Sequence, residues 1–92
     1  MIRHIVFWKF IPGKEAEAEE FFARLSALDG VIPEIRHMEI RKAVGGEYDA
    51  ALISDFDDLA ALDRYKNDPR HKAVSALCKF IRESRASLDY EL

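Results

Sequence analysis

A single cysteine, Cys78, stands among 92 residues, so no internal disulfide can form and no thiolate cluster can hold a metal. It reads as a buried thiol. Proline and glycine are also scarce, at three and four residues, and no low-complexity tract or repeat interrupts the chain, which argues against disorder and for one domain over residues 1–92. Apolar runs such as HIVFW at residues 4–8 fall far short of the roughly 20 residues that cross a bilayer, so no membrane span is expected. Arg3 is followed by no long apolar segment with a small-residue cleavage site, which makes the cytoplasm the expected compartment. An excess of one charge is missing too. Lys and Arg number 14 against 17 Asp and Glu, and a net charge of -3 provides no field to gather nucleic acid or an anionic membrane.

What is present is an ordinary globular balance, 49% apolar and 34% charged. Residues 2–11, IRHIVFWKFI, alternate at the strand period, with Ile2, His4, Val6, Trp8 and Phe10 on one face and Ile5, Phe7 and Ile11 on the other. Pro12-Gly13 breaks the strand, and Ala18, Phe21, Phe22, Leu25 and Leu28 then recur at helical spacing over about residues 14–28, with four glutamates loading the N-terminal half, where the helix dipole favours anions. A more polar strand, IRHMEIRKAV at 35–44, is expected to form a hairpin across Gly45-Gly46 with YDAALISDF at 48–56. Asp57 and Asp58 are suited to cap a short helix carrying Leu59, Leu62 and Tyr65. Asp68-Pro69 stops that helix and opens the next, Asp68 as N-cap and Pro69 in the first turn, with Val74, Leu77, Cys78 and Ile81 inward. ASLDYEL closes the chain as a fourth strand.

The order β-α-β-β-α-β is the ferredoxin-like pattern of the α+β class, its second helix broken in two. Helices in that arrangement cover one face of the sheet. The other face keeps Ile5, Phe7, Ala51 and Ile53, and an apolar sheet face of that kind usually marks an interface, so a homodimer through the open face is expected.

HIVFWKF at the start, EYDAALISDFDDLAALDRYKNDPRH in the middle and LDYEL at the end resemble the stress-responsive dimeric α/β-barrel (Dabb) family over nearly the whole chain. The Tyr-x-x-Asp-Pro-x-His run is the most specific part, written here as Tyr65-Lys66-Asn67-Asp68-Pro69-Arg70-His71. The resemblance implies a protomer whose sheet pairs with a second copy to make a dimeric α/β-barrel. Its related activities include polyketide cyclisation of the olivetolic acid cyclase type, an intramolecular aldol condensation. Carried across position by position, it implies Tyr65 and His71 as the catalytic pair, His4 facing the same cavity, and Val6, Trp8, Phe21, Phe22, Leu25 and Leu52 as the lining. No cofactor is implied for that chemistry. An aldol closure needs a base beside a carbonyl and a donor for the developing oxyanion. His71, in the first turn of a helix whose dipole favours neutral imidazole, is suited to the first task and Tyr65 to the second. Against this stands the plainer reading of the same residues, a packed tyrosine and a helix start.

The remaining candidates read as structural. His37 alternates with Ile35 and Glu39 on a polar strand with no partner at metal-ligand spacing, and Asp55, Asp57 and Asp58 lack the glycine and terminal glutamate of a calcium loop, so no metal site is expected. Gly45-Gly46 precedes no Lys-Ser/Thr and no helix, which makes it a turn and not a phosphate cradle. Arg70, Lys72, Lys79, Arg82 and Arg85 gather near the last helix, yet the third strand offers Ala50 to Ile53 where an RNA-binding sheet would stack aromatics. The expectation is a small-molecule pocket. The alternatives are a structural or stress-associated homodimer without a substrate and, by analogy of fold alone, a heme- or quinone-handling monooxygenase. Whether the chain is an enzyme stays open at this point.

Overall fold

The alternation of β1 (Ile2–Phe10) sets the layering: Ile2, His4, Val6 and Trp8 are buried, and the intervening Arg3, Ile5 and Phe7 are only partly covered. The computed structural model describes residues 1–92. After β1 come α1 (Glu15–Ser26), β2 (His37–Lys42), β3 (Ala50–Phe56), α2 (Leu59–Asn67), α3 (Pro69–Lys79) and β4 (Arg82–Glu91). The four strands form one antiparallel sheet in the order β2-β3-β1-β4, so the two most apolar strands, β1 and β3, are central. None of the helices is long and apolar enough to cross a membrane.

Helix α1 presents Ala18, Phe21, Phe22 and Leu25 to the sheet, and Phe21 meets the Trp8 indole edge-on with ring centres 5.2 Å apart. Asp58 caps α2 by accepting from the Ala61 amide at 2.8 Å. Asp68 accepts from the Arg70 amide at 2.8 Å, and its extended backbone sets the break between α2 and α3, with Pro69 in the first turn of α3. Helix packing buries Leu62 and Tyr65 from α2 and Cys78 from α3.

The expected dimeric α/β-barrel, in which the sheet joins that of a second copy, is corrected to an open, ferredoxin-like sheet. The sheet is open: β2 and β4 are its two edges and pair only inward, with β3 and β1 respectively. Closing a barrel takes strands tilted and staggered enough to bring the edges together. Here the helices instead cover one face of the ferredoxin-like βαββαβ sheet.

Smaller differences follow from neighbours. Strand β4 begins at Arg82, four residues before the apolar alternation, because it pairs along the whole of β1 as far as Phe10, with a register shift at Lys9. Asp57 does not cap; it pairs with Arg36, while Asp55 takes a bidentate bond from Arg3 at 2.8 and 2.9 Å. Leu77, expected inward, lies 40% exposed on the outer side of α3. The β2–β3 connection is wider than a tight hairpin, closed by a bond from the Ala43 amide to the Asp49 carbonyl at 2.8 Å. Gly46 there takes a positive φ of 98°, a conformation glycine adopts without steric cost.

Candidate functional site

The register of β4 decides what lies between sheet and helices. Opposite Trp8, Val6 and His4 stand Arg85, Ser87 and Asp89, so the polar residues of β4 face the helices. Ala86, Leu88 and Tyr90 therefore face the open side. Between the sheet and the break from α2 to α3 lies a cavity of about 230 Å³. Its apolar walls are Val6, Trp8, Phe21, Leu25 and Leu52, and its polar groups include His4, Tyr65, Lys66, His71, Arg82 and Arg85.

Tyr65 is fully buried, and its hydroxyl is the one enclosed side-chain polar atom without a hydrogen-bond partner in the protein. Such a group costs roughly 1–3 kcal/mol when it is left unsatisfied. Its ring lies against His71 with centres 4.3 Å apart and against Phe56 at 4.9 Å. Burial pushes the phenol well above its ordinary value, so it stays protonated and able to donate. His71 Nδ1–H donates to the Lys66 carbonyl at 3.3 Å, across the helix break, which leaves Nε2 as the acceptor in the neutral ring. Burial foremost, with His4 and Arg85 adding to it, lowers the His71 pKa and favours that neutral ring.

His4 is held on the other side. Its Nδ1–H donates to Asp89 Oδ1 at 2.5 Å, and Lys66 Nζ lies 3.7 Å from the other carboxylate oxygen. Asp89 raises the basicity of His4, yet burial is the larger influence and the pKa falls below its usual range. A carboxylate that fixes one ring nitrogen leaves the other available as a base, the arrangement by which a third group orients a catalytic imidazole. At the far end burial pushes the Cys78 thiol up, which keeps it an unreactive thiol.

The structure thus brings Tyr65, His71, His4, Val6, Trp8, Phe21, Leu25 and Leu52 to one cavity. Phe22 is not among them: it packs on Phe10 at 5.5 Å and borders a separate groove between α1 and the end of β1. Asp89, Arg82, Arg85 and Lys66 went unassigned to the site by sequence reasoning. For β4 the available signal was its pairing with β1, which puts whichever set lies opposite His4 and Trp8 on the cavity side. His37 is exposed and bonded to Glu39 at 3.2 Å, away from the site. No group of three or more His, Cys, Asp or Glu side chains is arranged to hold a metal ion.

The class defined by these features is a ferredoxin-like domain with a partly polar cavity between its open sheet and its helices. The chain belongs to the stress-responsive A/B barrel domain family, whose model matches residues 2–92. It is 35% identical over 83 residues to an uncharacterized protein of Streptomyces coelicolor, covering 84% of this chain and 86% of that protein. It is similar to a solved structure from Bacteroides fragilis, described as a dimeric protein of unknown function with a ferredoxin-like fold, at 31% identity and a TM-score of 0.89 over 99% of this chain and 95% of that one. That description agrees with the open sheet. A hydroxynitrile lyase from Passiflora edulis shares the fold at 18% identity, with a TM-score of 0.89 over 99% of this chain and 92% of that one. These matches establish the family and the fold; the likeness to cyclases of the olivetolic acid type is not among what they establish, and a fold alone does not carry a chemistry.

Proposed function

We propose that the protein is a homodimer, joined through its open sheet faces, that binds a small hydrophobic or aromatic carbonyl compound in the cavity and moves a proton on it. The observation that carries this reading is the buried, unpartnered Tyr65 hydroxyl beside two imidazoles whose free nitrogens are left over from the Lys66 and Asp89 bonds. A carbonyl oxygen accepting from Tyr65 would relieve the orphaned donor. The same bond strengthens as the oxygen gains negative charge, which is the condition for lowering a barrier. His71 Nε2 then takes a proton from the carbon beside the carbonyl, with His4, oriented by Asp89, as the second imidazole at the site. Enolate formation of this kind is the common first step of aldol ring closures, which keeps a cyclase-like reaction within reach of these residues. The volume supports a single-ring ligand, since a cavity of about 150 Å³ suffices for benzene.

A filled core is the competing reading, favoured by the tight cluster of Trp8, Phe21 and Phe22 at one end. The test uses Trp8, the only tryptophan and part of the cavity wall. Titration with aromatic aldehydes and ketones is expected to change its fluorescence saturably. Tyr65→Phe should weaken that binding about five- to tenfold, the worth of one hydrogen bond, and leave stability equal or raised because the orphaned hydroxyl is gone. His71→Ala should abolish proton exchange at the α-carbon of a bound ketone. A flat response from folded, dimeric protein would establish the filled core instead.

A further inference from the structure

Six of the eight arginines are paired with a carboxylate: Arg3, Arg24, Arg36, Arg41, Arg64 and Arg70. The two left over, Arg82 and Arg85, both line the cavity. In a chain with a net charge of -3 that is a local inversion of sign. None of the 14 lining residues is acidic, and Lys66 adds a third cation there, with only Asp89 behind it in charge contact. From this geometry we infer that the ligand carries a carboxylate, held by Arg82 and Arg85, while its apolar body rests on Trp8, Phe21 and Leu25.

The inference rests on the cavity being a ligand site and adds to that reading the chemical class of what enters. Two guanidiniums a few residues apart on one strand, both turned to the helix side by the register with β1, present planar forks that match a carboxylate. Arg85 stays open to solvent and so can be reached by an anion, while burial of part of its side chain and then Arg82 lower its pKa. In the same cavity Tyr65 offers an unpartnered donor, close enough to Arg85 for the two to act on one another. The cavity therefore combines two unpaired guanidiniums, an apolar wall and a neutral donor with an imidazole, and a small keto acid or aromatic acid has groups for all three.

The experiment compares benzoate with benzamide, its neutral counterpart of the same shape, and with phenyl phosphate, each titrated into the dimeric protein at neutral pH and followed by Trp8 fluorescence and calorimetry. Benzoate is expected to bind about tenfold or more tighter than benzamide, the range of a charge-assisted hydrogen bond. Arg85→Gln and Arg82→Gln should each shrink that ratio, and the double variant should bring it near one, with the thermal midpoint unchanged or raised. Equal affinity for benzoate and benzamide would overturn the inference and leave the pocket reading standing. Tighter binding of phenyl phosphate than of benzoate would overturn the assignment of a carboxylate. If neither benzoate nor benzamide binds while the aromatic ketones do, the inference fails alone; if the ketones also give no signal, the pocket reading falls with it.

Discussion

At the scale of single residues, the two cavity imidazoles are where folding and chemistry meet. Both are pushed below the ordinary histidine value of 6.5, chiefly by burial, and for His4 this outweighs the bond to Asp89. The groups facing His71 are the Lys66 carbonyl, Tyr65, His4, Arg85 and Asp68, two of them cationic or potentially so. Below about 6.5 the unfolded chain takes up protons that the folded chain resists, so stability is complete above that pH and falls as the pH drops through the lowered folded-state values. A denaturant midpoint measured from pH 7.5 to 5.5 should therefore fall, before the paired carboxylates begin to titrate. His71→Gln should make the fall shallower. An equal slope in that variant would show that His71 is as free to protonate in the folded protein as in the unfolded one, and would remove the case for a neutral base.

At the scale of elements, the break between α2 and α3 holds the site together. Two aspartates cap these helices in the same way, Asp58 on the Ala61 amide and Asp68 on the Arg70 amide, yet only the second sits where Tyr65 and His71 meet. Asp58→Ala should cost about 1 kcal/mol of stability and leave ligand affinity unchanged. Asp68→Ala should lower the thermal midpoint and also weaken ligand binding, because the bond from His71 to the Lys66 carbonyl spans the junction. If both variants bind ligand as the unaltered protein does, the helix break is punctuation and nothing more. The order of elements and the buried face of β1 were legible in sequence because alternation and helical spacing are local signals. The break was legible from Asp68-Pro69. The site was read only in part: alternation in β4 separates Ala86, Leu88 and Tyr90 from Arg85, Ser87 and Asp89 without saying which set meets the helices. Pairing with β1 makes that choice, and it turns the polar set inward. Phe22 was misassigned for a related reason, since helical spacing puts it on the buried face of α1 but does not say whether it faces the cavity or Phe10.

At the scale of the whole molecule, turning the polar side of β4 to the helices leaves an apolar face that one copy does not cover. Ile5 lies between Ile53 and Leu88, and Phe7 between Ala51 and Ala86, across three adjacent strands, and Leu88 is 57% exposed. A chain of 92 residues buries only about 60 to 65% of its unfolded surface and gains most from a partner on such a face. The Arg3–Asp55 pair beside the apolar centre is already bonded within one protomer, so docking a second copy over it strands no unpaired charge. Light scattering should give a mass of twice 10.6 kDa for the protein. Leu88→Arg would set a cation in the centre of each face, and should yield a monomer of lower thermal midpoint. A dimer that survives this substitution would move the interface elsewhere, with the exposed Leu77 and Phe80 at the end of α3 as the next apolar surface to test. Because the cavity lies on the other side of the sheet, the monomer should keep its preference for benzoate over benzamide if it remains folded. Loss of that preference together with the dimer would mean that the sheet needs its partner to hold Arg85 and Asp89 in register with β1.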